Sequence, residues 1–257
     1  MKITGNIITL NEEENIVECI KSLQNVCDEI IVVDSYSNDN TVALAKQLGA
    51  IVIQKKYLGD GPQKNIVQEY STFDWILSID ADERLDKKMI ESINQIKEQE
   101  TNYNAYSFKR KNYIGKRWIQ YCGWYPDICI RLYNKQFTKF KETAGHSSIS
   151  EKNVQLLDGH IIHYSYKNYH QLLHKTNRFS SRGAKMLQQR GVKVYSFSPP
   201  IHFISSFIRK YIIQRGFLDG IDGLTISLTT SINSYMKYAK LLEMQKTKTS
   251  SESLWEQ

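Results

Sequence analysis

Apolar positions in the first half of the chain change period repeatedly. The run "ITGNIITL" reads as a strand. "NEEENIVECIKSL" then places Ile16, Ile20 and Leu23 on one helical face, with Asn11 as the expected N-cap and acidic residues suited to a helix N-terminus. "EIIVVD" is a continuous apolar run, as a parallel strand buried on both faces requires. Thr41 to Leu48 reads as a helix that Gly49 ends. "AIVIQKK" is a third strand, Pro62 to Tyr70 a helix, and "WILSID" a fourth strand, after which Ile90, Ile93 and Ile96 mark another helix. Repeated βα units predict an α/β fold: a mostly parallel, Rossmann-like central sheet with helices on both faces.

From Asn104 the pattern differs. "YNAYSFKRKNYI" and "DICIRLYNK" alternate like strands and aromatic residues become dense, which predicts a smaller mixed sheet over one end of the parallel one. Helical signals return with "KNYHQLLHKTNRFSSRGAKMLQQR", and Pro199 and Pro200 are expected to break the chain before the last apolar stretch. The expected plan is a domain over 1–165, divided between 103 and 104, a helical extension over 166–246 and a polar tail over 247–257.

Composition narrows the classes. The chain has 257 residues, 41% hydrophobic and 24% charged, enough for one large α/β domain plus an extension. A net charge of +7 suggests a surface for an anionic partner, which leaves nucleotide, nucleic acid and acidic lipid open. Cys19, Cys27, Cys122 and Cys129 form no CxxC pair, so reduced thiols in a cytosolic chain are expected. "MKITGNIITLN" lacks a signal-peptide core, and no stretch reads as a ~20-residue membrane span. The expected location is the cytoplasm, with docking on the inner membrane face as the one membrane contact. A basic amphipathic stretch favours that docking: Arg209, Lys210 and Arg215 lie among Phe203, Ile204, Phe207, Ile208, Tyr211 and Ile212. A helix packed on the catalytic domain is the competing reading.

In open α/β sheets ligands bind beyond the carboxyl ends of the strands. Those ends carry Thr9-Leu10-Asn11-Glu12-Glu13, then Asp34 in "VVDSYSNDNT", "YLGDGPQKN", and Asp80-Ala81-Asp82. No GxxxxGK[ST] loop is present, and Gly59 and Gly61 form only a fragment of a dinucleotide fingerprint. Lys64 is a candidate phosphate contact at a helix start. Asp80 and Asp82, two apart on a strand end, face the same way and can address one metal ion bound to a diphosphate, Mg²⁺ or Mn²⁺. Glu83 adds a third carboxylate, read only as a neighbour. His170 and His174 have zinc spacing but lack the glutamate of HExxH, and one of His160 and His163 can complete a metal shell.

The segments "TLNEEENIVECIKSL", "DEIIVVDSYSNDNTVALAKQLGA", "GPQKNIVQE", "DWILSIDADERL", "CGWYPDICIRLYNK", "IIHYSY", "GFLDGIDGL" and "YMKYAKLLE" occur in an order that resembles a family-2 glycosyltransferase of GT-A fold. The nearest subgroup is the lipopolysaccharide core glucosyltransferases of the WaaE/KdtX/LgtF type. The resemblance covers about Ile3 to Glu243, with "GWYPD" and "FLDG" its more specific pieces. It implies an inverting transfer of a hexose, glucose first, from a UDP-sugar to an inner-core heptose on a lipid-linked saccharide. It makes 1–103 the nucleotide-sugar half and 104–165 the acceptor half. Thr9, Asn11 and Glu13 would line the nucleotide site, Asp34 would hold the uridine, and Gln63 and Lys64 would serve base or phosphate. Asp80 would lie near ribose and metal, with Ala81 beside it, and Asp82 would be the main metal ligand.

Inversion needs a carboxylate base, for which Asp127 is the choice against a plain turn residue after Pro126. Trp124 and Tyr125 can stack on a sugar, with core packing as the alternative. Relatives usually carry a His-Glu pair where this chain has "ETAGHSSIS"; His146 matches the His as an acceptor contact, Ser147 stands in the place of Glu, and Glu142 is nearby but shifted. Two other classes are weighed: a metal-dependent nucleotidyltransferase, which releases pyrophosphate, and a non-catalytic basic module for membrane or nucleic acid. Nucleic acid is not expected as a partner, because the strand-end carboxylates would repel its phosphates without a metal.

Overall fold

The computed structural model describes residues 1–142 and 147–247. Its strands are β1 (Ile3–Thr9), β2 (Glu29–Asp34), β3 (Ile51–Gln54), β4 (Trp75–Asp80), β5 (Glu83–Leu85), β6 (Ala105–Ile114), β7 (Arg117–Trp118), β8 (Asp127–Asn134) and β9 (Val154–Tyr166). They form a single nine-stranded sheet in the order β3-β2-β1-β4-β8-β6-β9-β5, with β7 paired to β6. The strands β3, β2, β1 and β4 run parallel. β8 pairs antiparallel with β4 and with β6. The separate smaller mixed sheet expected from the sequence is therefore not separate. β8 hydrogen-bonds directly to β4, so the antiparallel strands extend the parallel ones in one mixed sheet.

Two compact units divide the chain. One comprises 1–111 and 126–164, the other 112–125 and the residues from Ser165 on. In the first unit, α1 (Ile16–Gln24), α2 (Thr41–Gln47), α3 (Asp60–Asn65), α4 (Val67–Tyr70) and α5 (Lys87–Lys97) flank the sheet. Alternation along the strands sends side chains to two cores. Val32, Leu77 and Ile79 join Ile16, Ile20, Met89 and Ile93 on one side. Ile31, Val33 and Ile76 join Val67, Phe140 and Ile149 on the other. The continuous apolar runs of β2 and β4 thus reflect burial on both faces.

The first helix starts later than the sequence suggests. Its N-cap is Asn15, and Asn11 sits in the left-handed region at φ 55°. Asn11 is drawn away by partners on the next loop: its N–H donates to Ser37 Oγ at 2.8 Å and its Oδ1 accepts from Asn38 N–H at 2.9 Å. Asparagine tolerates that conformation better than most residues.

The second unit contains α6 (Tyr169–Gln189), α7 (Ser198–Phe207), a π-helical turn (Ile208–Ile213), a 3₁₀ turn (Gly216–Asp219) and α8 (Gly220–Thr247). Pro199 and Pro200 lie in the first turn of α7 and so begin a helix instead of breaking one. That turn has no intrahelical use for their missing N–H groups. α8 meets the 3₁₀ turn so closely that a Cβ on Gly223 would fall 1.7 Å from Gly216 O. Among the described residues, no helix is long and apolar enough to cross a membrane.

Candidate active site

The parallel strands bring their carboxyl ends into register. Thr9 lies opposite Asp34, Ile8 opposite Asp80, and Asp34 opposite Gln54. Strand order reverses around β1, between β2 and β4, which is where an open α/β sheet leaves a crevice. β8 runs antiparallel to β4, so its first residue, Asp127, belongs to the same edge.

The loops after β1 and β2 are laced together. Besides the two bonds of Asn11, Glu13 Oε2 accepts from Asn40 N–H at 3.1 Å and from Asn40 Nδ2 at 2.9 Å. Asp34 is buried and accepts from Ser37 N–H and from Gln54 Nε2, both at 3.0 Å. Thr9 is buried too, and its Oγ1 has no hydrogen-bond partner among the described residues. Gln63 is fully buried and braces the loop after β3, accepting from Leu58 N–H and donating to Ser35 Oγ and Lys55 O, each at 3.3 Å. The Gly59–Gly61 pair has a local explanation. Gly59 caps α3 at φ 109°, and a Cβ on Gly61 would fall 2.1 Å from Lys141 O.

Lys64 stands in the last turn of α3 and not at a helix start. Its buried ammonium reaches Asp80 Oδ1 at 2.7 Å. Counting that pair, five ion pairs form an alternating chain across the strand ends. Arg131 Nη2 contacts Asp80 Oδ2 at 3.0 Å and Glu83 Oε1 at 2.8 Å. Arg110 Nη1 contacts the same Glu83 oxygen at 2.8 Å, and its Nη2 reaches Asp127 Oδ2 at 2.7 Å. Asp80 N–H also donates to Glu83 Oε2 at 2.9 Å. Register explains the reach, since Arg110 and Asp127 are direct partners across β6 and β8.

Charge compensation sets the protonation states. Burial alone would push the Asp80 carboxyl up, but Lys64 and then Arg131 outweigh it and hold it well below the usual carboxylate range. For Glu83, burial raises the carboxyl, Arg131 lowers it, Asp80 raises it and Arg110 lowers it, with a downward net. Both arginines are raised, since their acidic neighbours outweigh burial.

Asp82 stands apart from this chain. Its Oδ2 faces His163 Nε2 at 3.5 Å, and its carbonyl accepts from Tyr164 N–H at 3.0 Å. Ala81 between the two aspartates is buried. His160 bonds instead to Asp86, its Nδ1 3.2 Å from Oδ2, and the exposed His170 and His174 join no metal-binding group. No cluster of three or more His, Cys, Asp or Glu with metal-binding geometry exists among the described residues.

Trp124 and Tyr125 belong to the second unit. Trp124 packs on the core of Ile114, Ile119, Cys122, Leu172 and Ile226, and Tyr125 stands edge-on to Trp118 with centroids 5.4 Å apart. His146 lies outside the described residues. Arg110 and Arg131 are residues the motifs did not single out, and Glu83, read only as a neighbour, is the anion they share. Their signal was present: an arginine amid the apolar residues of "DICIRLYNK" has to find a buried anion.

Residues 6–155 match the family model described as glycosyl transferase family 2. The chain is 37% identical to an uncharacterized glycosyltransferase of Rickettsia typhi, over 95% of this chain and 87% of that one. It is 26% identical to the lipopolysaccharide core biosynthesis glycosyltransferase LpsC of Rhizobium meliloti, over 93% of this chain and 94% of the relative. Among solved structures, S. aureus TarS 1-349 in complex with UDP-GlcNAc aligns with a TM-score of 0.51 at 14% identity, over 97% of this chain and 93% of that one, a likeness of fold. The molecule is thus an α/β glycosyl-transferring enzyme with GT-A-like structural neighbours. It belongs to glycosyl transferase family 2.

Proposed function

We propose that this glycosyltransferase moves a hexose, glucose first, from a UDP-sugar to a lipid-linked saccharide of the lipopolysaccharide inner-core kind, with inversion at the anomeric carbon. The observation that carries this reading is the division of labour at the end of β4. Asp80 and Glu83 are neutralised by Lys64, Arg131 and Arg110, whereas Asp82 faces His163. Support for the donor comes from the UDP-GlcNAc bound to the TarS fragment, and for the acceptor from the core-biosynthesis name of LpsC. Family membership sets aside the nucleotidyltransferase and the non-catalytic module.

Asp82 and His163 fit a divalent metal. Their 3.5 Å separation is near the roughly 3 Å between neighbouring donors on an octahedral ion with bonds of about 2.1 Å. The carboxylate of Asp82 and the imidazole of His163 would be the protein's donors to it. Bound there, the ion supplies charge neutralisation for the departing diphosphate.

The chain's own residues do the rest. Thr9, Asn11 and Glu13 line the nucleotide site, Asp34 takes the uridine, and Gln63 shapes the loop beneath it. Lys64 and Arg131 fix Asp80 toward the ribose, beside Ala81. Asp127 removes the proton from the acceptor hydroxyl as its oxygen attacks the anomeric carbon. The bond from that carbon to the phosphate oxygen breaks, and UDP leaves. Arg110 fixes the position of Asp127. Trp124 and Tyr125 are assigned to the acceptor on chemistry alone.

UDP release across a panel of UDP-sugars with Mn²⁺ or Mg²⁺ tests the reading. Asp82→Ala should lower the rate by roughly 100-fold or more with the far-UV circular dichroism unchanged. Full metal-independent activity in that variant defeats the assignment of Asp82, and release of pyrophosphate defeats the reaction class.

A further inference from the structure

The positive charge of this protein sits in one part of the chain. Residues 165–247 carry thirteen Lys and Arg against three Asp and Glu, whereas residues 1–164 carry twenty against twenty-two. Two of those three acids are turned to internal use. Asp219 accepts from the N–H groups of Gln120 and Tyr121 at 3.3 and 2.7 Å, and Asp222 accepts from Arg117 at 2.8 Å and from Tyr169. The third, Glu243, lies near the far end of α8.

In the same unit, apolar side chains that amphipathic packing would bury face solvent instead. Phe197, Ile201, Ile204 and Ile208 follow one another at intervals of 4, 3 and 4, one stripe of a helix, and all four are exposed. Ile212 and Ile213 continue the run through the π-helical turn, and Ile204, Ile208, Ile212 and Ile213 are between 43% and 69% exposed. Pro200, Phe203 and Ile204 of α7 and Ile232 and Tyr235 of α8 line an open apolar groove of about 430 Å³. Single exposed apolar residues need no explanation, but a contiguous face of this length does. Of the amphipathic stretch read from the sequence, Ile204, Ile208 and Ile212 are exposed, whereas Phe203, Phe207 and Tyr211 are half-buried.

Cations rim this face. Arg209 and Arg215 are exposed within it, and Lys193 precedes it. Burial, and then repulsion from Arg209, lower both Lys210 and Lys237, which places the three cations in one electropositive neighbourhood. Aliphatic and aromatic side chains bordered by cations match a bilayer with anionic headgroups, where the stripe enters the acyl boundary and the cations meet phosphate. A duplex or single-stranded nucleic acid offers no counterpart to the isoleucine stripe.

We propose that the face built from residues 197–213 and the adjoining side of α8 docks this enzyme on an anionic lipid surface. The proposal deepens the reading of a lipid-linked acceptor, since it names the surface that would bring the enzyme to such a molecule. It does not depend on that reading for the binding itself.

Co-sedimentation of the full chain with vesicles tests it, using phosphatidylglycerol mixed with phosphatidylethanolamine against pure phosphatidylcholine. Wild type should bind the anionic vesicles, more weakly as salt rises, and bind phosphatidylcholine poorly. The triple variant Ile208→Ser, Ile212→Ser, Ile213→Ser should lose roughly tenfold or more of the vesicle affinity. The pair Arg209→Gln, Arg215→Gln should lose most of the preference for anionic lipid. All these side chains are solvent-exposed, so thermal melts should stay close to wild type, and UDP release to water or a soluble acceptor should persist. Equal binding of wild type and triple variant overturns the proposal. So does a dimer in sedimentation velocity that the triple variant abolishes while vesicle binding is absent, because a second copy then covers the face. Vesicle binding without any UDP-sugar turnover would instead defeat the catalytic reading and leave the docking face standing.

Discussion

Glu83 has no exposed side-chain surface, yet one of its oxygens takes Arg110 and Arg131 together while the other holds the backbone N–H of Asp80. Removing that charge leaves the buried guanidinium of Arg131 and the half-buried one of Arg110 short of an anion. Glu83→Gln, nearly isosteric, should cost about 3–5 kcal/mol in urea unfolding, the usual penalty for breaking a buried pair from one side. A cost near zero would mean that Asp80 and Asp127 satisfy both arginines unaided. Asp127 poses a different test, since its side chain is partly exposed at the end of the same chain of charges. If it is the base, Asp127→Asn should lower kcat by roughly 10²–10⁴-fold with little change in donor affinity. An unchanged kcat would leave Asp127 as the turn residue that its place after Pro126 also allows.

At the scale of elements, what was legible in the sequence is what depends on local pattern. β1, β2 and β4 show as apolar runs because both faces of the sheet are buried there, and Ile16, Ile20 and Leu23 show the inner face of α1. What was not legible depends on pairing across the chain. Nothing in "DICIRLYNK" alone says that it adds to the parallel strands, because the β4–β8 pairing joins segments more than fifty residues apart. Asn11 reads as a helix cap until Ser37 and Asn38, on another loop, take its N–H and its Oδ1. The strand-end carboxylates were legible, but the cations that neutralise two of them come from α3, β6 and β8 and could not be matched to them in advance. Gly159 in β9 is a similar case. Its φ is +100°, and a Cβ there would lie 2.3 Å from Met89 N at the start of α5, so strand and helix meet only because no side chain intervenes. Gly159→Ala should destabilise by roughly 2–4 kcal/mol in chemical unfolding. A loss below ~1 kcal/mol would show that α5 yields easily.

For the molecule as a whole, the ion pairs and the half-buried histidines push stability in the same direction as pH changes. The carboxyls of Asp80 and Glu83 are lowered in the folded state, because their cations outweigh burial. Such groups stabilise above the unfolded-state values of about 3.9 and 4.3, and that contribution fades as pH falls below them toward the folded values. His160 is lowered chiefly by burial and then by Lys111, and His202 by burial and then by Lys237. A lowered histidine is neutral in the fold but charged in the unfolded chain below about pH 6.5, so the unfolded state binds more protons there. Both effects therefore make stability fall as pH falls. The expected profile, from urea midpoints between pH 8 and pH 3, is a shallow decline starting near pH 6.5 and a steeper one below about pH 4.3. Glu83→Gln removes one of the two carboxylates and should flatten the steeper limb, and His202→Gln should flatten the shallow one. A wild-type profile that holds level between pH 5 and pH 3 would contradict the chain of ion pairs across the strand ends. In that case those carboxylates would be protonating without loss to the fold, which the five contacts drawn from Lys64 to Asp127 do not permit.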